Sequence, residues 1–153
     1  MFISIIVSAL SLSFTPVAAA GDACPRWNGS FSCEYKGSLG DRVFNLEMKT
    51  VDQRGQTVYV ANEKEVFPDG QPHHTDSLPI LDQFANNVDY VASCTSPQTV
   101  AVNGTATVKK NGMRAQLNGN LVDDGNGQEV RAIFTASVGF FKMNFNVPCV
   151  KQK

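Results

Sequence analysis

The residues best equipped for chemistry in this sequence sit in one short stretch. His73 and His74 are the only histidines, and Asp69 and Asp76 flank them. Imidazole together with carboxylate suits zinc. Adjacent side chains on an extended strand point to opposite faces, however, so two neighbouring rings rarely share one ion. The pair is expected to be exposed and structurally neutral, and no metal site is assigned. For acyl transfer the chain offers no G-x-S-x-G segment, and its thiols are better explained as disulfides. Carboxylate pairs of the kind a glycosidase uses occur at Glu63/Glu65 and Asp123/Asp124. Both fall at turns or strand ends, where solvated charge is the ordinary explanation. The sequence is therefore read as non-enzymatic, with no cofactor.

The cysteines are Cys24, Cys33, Cys94 and Cys149. They follow an apolar leader, residues 1–20, in which Ala18 and Ala20 form an A-x-A cleavage signal before Gly21. An even number of cysteines behind such a leader reads as a disulfide framework in an oxidising compartment, secreted or periplasmic. Residues 27–35 read as an extended strand that carries Cys33 away from Cys24. Pairs joining this first region to Cys94 and Cys149 are thus favoured over a local loop. Residues 21–153 are expected to form a single β domain. No second long apolar run follows the leader, so no membrane span is expected. Thirteen basic residues face 14 acidic ones, for a formal charge of −1. This balance argues against nucleic acid as a partner and against attraction to acidic membrane surfaces, since both rely on concentrated positive charge. Asn28-Gly29-Ser30 and Asn103-Gly104-Thr105 match the glycosylation sequon, which matters only in a eukaryotic secretory pathway.

The elements that would position any site are strands. Between residues 100 and 149, four runs alternate apolar and polar residues with period two, the mark of strands with one buried face. Asn111-Gly112 is a strong signal for a two-residue type I′ hairpin. That turn pairs Val108 with Ala115 and Ala106 with Leu117. The segment Asp124-Gly125-Asn126-Gly127 pairs Leu121 with Val130 and Leu117 with Phe134. Gly139-Phe140, as a type II′ turn, pairs Val138 with Phe141, Phe134 with Phe145 and Val130 with Cys149. Upstream, 27–35, 42–51, 56–61 and 87–94 also read as strands. In 56–61 the phase is ambiguous between Val58/Val60 and Tyr59/Ala61. Residues 67–87 break the pattern and are expected to hold a short strand near 73–77 and one or two helical turns within 77–84, with Ile80, Leu81 and Phe84 on one side.

The fold class is accordingly all-β: an antiparallel meander of about eight or nine strands, most economically a small barrel, with an irregular or short helical insertion at 67–87. A two-sheet sandwich is the other home for such strands. Continuous hairpins favour the barrel. The size, the leader, the disulfides and the meander of 88–149 resemble secreted up-and-down barrels of the lipocalin and avidin type. The lipocalin G-x-W of the first strand appears here in reverse order, as Trp27-Asn28-Gly29. The resemblance implies a barrel that binds a small apolar molecule, and no family binding residue carries over.

The expected registers set Gly104, Gly119, Ala132 and Val147 side by side, a row of small residues inside the barrel. A guest there would be walled by Leu117, Phe134 and Phe145, with Ala132 and Trp27 nearby and the 67–87 segment as a lid. The expectation is thus a secreted, non-enzymatic binding protein for an apolar small molecule. The alternative is a secreted protein-interaction module, such as a hydrolase inhibitor or cell-surface component, that acts through its loops. A filled interior would favour the second.

Overall fold

The computed structural model describes residues 24–153, and the expected leader lies outside the described residues. Ten antiparallel strands form one curled sheet, a half-barrel. They are β1 (Gly29–Tyr35), β2 (Arg42–Gln53), β3 (Gln56–Ala61), β4 (Lys64–Val66), β5 (Asp69–Thr75), β6 (Ala85–Ser96), β7 (Thr99–Val108), β8 (Arg114–Asp123), β9 (Glu129–Val138) and β10 (Phe141–Lys151). Strands pair with their neighbours in the chain, and β1 pairs with β10. The edge strands are β4 and β5, which carry no ladder between them. Only Phe67 and Pro68 separate these two strands in the chain, so the sheet edges are tethered at that point.

The count rises from eight or nine to ten because Lys64–Val66 and Asp69–Thr75 are both strands. Of the helical turns expected near 77–84, only a 3-10 turn at Leu81–Gln83 forms. The phase of β3 is settled in favour of Tyr59 and Ala61, which join the core cluster. Arg54-Gly55 and Asn62-Glu63 have positive φ at both positions and make the tight turns on either side of β3.

Two of the three expected registers in the 100–149 frame need correction. In β7–β8, Ala106 faces Ala115 and Gly104 faces Leu117. The loop holds four residues, 109–112, because Gly112 N–H donates to the Val108 carbonyl and Met113 N–H to the Asn111 side chain. Of the Asn111-Gly112 pair only Gly112 has positive φ, so the type I′ turn is not made. In β8–β9 the tight turn is Asn126-Gly127, where both φ values are positive and Gln128 N–H donates to the Gly125 carbonyl. Asp123 steadies it by accepting from Gly125 and Gly127. Leu121 therefore faces Ala132, and Gly119 faces Phe134. The β9–β10 hairpin has the expected register, with Val138 opposite Phe141, Phe134 opposite Phe145 and Val130 opposite Cys149. Each correction moves partners by two residues, so the buried face is preserved while its neighbours change.

The row of Gly104, Gly119, Ala132 and Val147 consequently does not form. Gly104 lies between Tyr90 and Leu117, and Gly119 between Val102 and Phe134. Ala132 lies between Leu121 and Val147.

Long-range links hold the curl. The disulfide Cys24–Cys94 ties the segment before β1 to β6, and Cys33–Cys149 joins directly opposed residues of β1 and β10. Tyr59 donates its hydroxyl proton to the Pro25 carbonyl at 2.8 Å, and burial pushes that phenol well above its ordinary pKa. Phe67 N–H donates to the Tyr90 hydroxyl oxygen at 3.3 Å, fastening the β4–β5 link to β6.

Candidate functional site

Inside the curl, the question is how much room remains. Leu46 and Met48 of β2, Tyr59 and Ala61 of β3, and Phe134 of β9 face a segment, 76–84, that folds into the mouth. This segment buries Leu78, Ile80, Leu81 and Phe84. Ile80 adopts φ 73° and ψ −50°, a conformation that a β-branched residue rarely occupies. It is one of the residues that line an apolar space under the lid, whose volume is about 40 Å³. A second space of about 20 Å³ lies among Phe84, Ala106, Leu117, Ala136 and Phe145. A dry cavity that takes up benzene is roughly 150 Å³, and drug-sized sites run from roughly 300 Å³ upward. Neither space approaches that.

The lid's burial has a magnitude as well. Four apolar side chains at ~1.5–3 kcal/mol each give roughly 6–12 kcal/mol as an upper bound. That is comparable with the whole stability of a domain of this kind, about 5–15 kcal/mol. Lifting the whole lid is thus close to unfolding the chain.

The residues singled out from the sequence divide accordingly. Phe134 borders the larger space, and Leu117 and Phe145 border the smaller one. The Phe145 ring packs against Phe84 at 5.4 Å and Tyr35 at 5.7 Å between centroids. Ala132 is fully buried between strands and touches neither space. Trp27 is also fully buried and stacks at a tilt against Tyr59, 5.2 Å away. Sequence reasoning missed Leu46, Met48, Ala61 and Val66 as walls of the larger space. The inward phase of Leu46 and Met48 was readable, but their place opposite the lid depends on the curl.

The histidines lie on β5 and point to different partners. His73 is sandwiched between Phe67 and Tyr90, with centroids at 5.0 and 5.5 Å, and its Nε2 meets Asp69 Oδ1 at 2.9 Å. Partial burial pushes the Asp69 carboxyl up, but the Gln71 N–H and His73 outweigh it and hold the group below its ordinary range. His74 turns outward, and its Nδ1 meets Asp89 Oδ1 at 2.6 Å. Arg114 donates to the other Asp89 oxygen and to the Thr105 hydroxyl. The hydrogen bond from His74 leads the effects that hold the Asp89 carboxyl down. Asp76, beside the pair in sequence, is not the carboxylate that either ring meets. Among the described residues no group of three or more His, Cys, Asp or Glu side chains is placed to hold a metal ion.

The outer surface carries the other unusual feature. Phe140 is fully exposed, Phe141 is 81% exposed and Met113 is 49% exposed. All three sit at one rim, on the β7–β8 and β9–β10 turns. Lys109, Lys110 and Lys142 are exposed on the same turns. Among the described residues no helix is long and apolar enough to cross a membrane. No protein family model, curated protein or solved structure matches this chain.

Proposed function

We propose that this protein is a secreted or periplasmic, non-enzymatic binding module that works through the rim of its half-barrel, with the interior serving as a packed core. The observation that carries this reading is the tight packing beneath the lid, where the residual spaces are about 40 and 20 Å³; a wider cleft of about 260 Å³ lies away from the lid, between β3, β5 and β6, lined by Thr57, Pro68, Asp69 and Ser93. Two disulfides fit a chain that folds in an oxidising compartment. The four cysteines are paired with each other, so no thiol among the described residues is free to act as a nucleophile.

A second reading, a site for an apolar small molecule, draws on one observation. The lid residue Ile80 holds a disfavoured backbone conformation directly over the larger space. Native mass spectrometry of protein isolated from its natural source separates the two readings. The expected spectrum shows the chain without a small guest. A stoichiometric apolar molecule that survives purification would overturn the rim reading in favour of an interior site.

A further inference from the structure

We infer that the rim formed by the β7–β8 and β9–β10 turns docks on a phospholipid surface carrying anionic headgroups. In this docking Phe140 and Phe141 enter the interface, and Lys109, Lys110 and Lys142 meet the headgroups. The inference rests on the reading that the rim is the working surface, and it names the partner.

The first observation is the aromatic tip. Gly139 has φ 58°, which makes a tight turn and throws Phe140 beyond the last ladder pair, Val138–Phe141. Folding gives no reason to place two exposed phenylalanines there, since a turn is served as well by polar residues. Exposed aromatic clusters of this kind mark contact sites. The tip is convex. A protein partner would need a matching pocket, whereas the fluid edge of a bilayer closes around any convex apolar group. The β8–β9 ladder runs to Gln116–Ser137, and its continuation sets Met113 across from Phe140. The apolar group therefore spans both turns.

The second observation is charge. There is no Asp or Glu between Ala101 and Val122, and none after Glu129. Both hairpin tips therefore carry lysines without a carboxylate of their own. The nearest acids come from other elements. Asp89 of β6 is taken by Arg114 and His74, and Lys109 donates to the Asp82 backbone carbonyl. At the far end of these hairpins Asp124 and Glu129 are paired with Arg131. Asp82 on the lid and Asp41 on the β1–β2 turn lie at the same end, but among the described residues Lys109, Lys110 and Lys142 form no salt bridge with a carboxylate. Aromatic side chains at the interface with lysines at headgroup level are the two signals that reversible membrane attachment calls for.

Vesicle flotation tests this on residues 21–153, the chain after the expected cleavage before Gly21, with vesicles of phosphatidylcholine alone or mixed with phosphatidylserine. The reading is the difference between wild type and rim variants. Wild type should float with the mixed vesicles and bind less to the neutral ones. Phe140→Ser/Phe141→Ser should lose most of the binding to both. Lys109→Gln/Lys110→Gln should weaken binding to the mixed vesicles by about 25-fold, at about fivefold per lysine. Circular dichroism should show both variants folded, because every altered side chain is exposed. Equal flotation of wild type and variants overturns the inference, as does indifference to phosphatidylserine. A concentration-dependent dimer that Phe140→Ser/Phe141→Ser dissolves would also overturn it, assigning the tip to a second copy of the chain. A chain that ignores vesicles and carries no interior guest refutes the lipid partner alone. A chain that carries a guest removes the rim reading itself.

Discussion

Ala132→Leu tests the filled interior directly. Ala132 is fully buried on β9, with Leu121 and Val147 on the flanking strands. Neither residual space reaches it. The added isobutyl bulk must displace those neighbours or bend the sheet, which costs ~1–3 kcal/mol. For a domain of this size 1 kcal/mol shifts the melting temperature by roughly 3–5 °C, so the variant should melt roughly 3–15 °C lower. Ala136→Val provides an internal contrast. Ala136 borders the space of about 20 Å³, so its smaller addition has somewhere to go and should be milder. Calorimetry on both variants, with an apolar fluorescent dye titrated into each, checks the reasoning. An Ala132→Leu chain that melts as high as wild type while losing dye affinity would refute it. That result would mean Ala132 faces usable space.

Three further outcomes follow from the same contacts. Removing Cys24–Cys94 or Cys33–Cys149, which close 70 and 116 residues of sequence, should each cost about 4–5 kcal/mol in the chain-entropy model; urea melts read the loss, and thiol labelling of the oxidised chain should find no free cysteine. Gly104→Ala should destabilise by about 1–3 kcal/mol, because a Cβ there falls inside contact distance of the Asp89 carbonyl oxygen and the Tyr90 Cα; amide exchange localised to β6–β7 would show the opening. His73→Ala should raise the Asp69 carboxyl toward its ordinary value, and carbon-13 titration of that group would register the change. A carboxylate held low stabilises the fold above its unfolded pKa and loses that contribution as the pH falls through its folded pKa. The acid limb of the wild-type stability profile, below about pH 4, should therefore move to higher pH in His73→Ala.

The strand content of this chain was legible because side-chain phase is a local property. Val130, Ala132, Phe134 and Ala136 recur at every second position whatever the strand pairs with, and all four are buried while Arg131, Ile133 and Thr135 between them are not. Register is not local in the same sense, because it hangs on the backbone angles of one or two turn residues. Five Asn-Gly pairs offer the same signal, and only Asn126-Gly127 has positive φ at both positions and makes the primed turn. At Asn111 the side chain instead caps Met113, and the loop lengthens. The edges were harder still. Lys64–Val66 is too short to show alternation, and nothing in its sequence says that it ends a sheet that curls round to the neighbourhood of β5. The grouping of lysines at the two hairpin tips was hidden for a related reason. Lys109, Lys110 and Lys142 are dispersed along the chain, and only the pairing of β8 with β9 makes their turns neighbours.

The consequence for function is sharpest at Gly119. In the register expected from the sequence this glycine belongs to a row of small residues, and a row of small residues leaves a hollow. In the register the structure adopts, it lies opposite Phe134, and a Cβ built on it would come within 2.7 Å of the Phe134 Cγ. The glycine makes room for the ring, and the ring covers the glycine, a pairing that fills space and shields backbone at once. Gly104 is used in the same sense, letting β6 approach so closely that no side chain fits. A shift of two residues leaves the apolar groups facing inward, yet it changes their neighbours, so the row of small residues is not formed. The expected row of small residues rested on two assumed turns, at 111–112 and at 124–127. Val43, Ile133 and Val150 are exposed singly, whereas Phe140 and Phe141 form an adjacent exposed pair at the rim that packing does not explain.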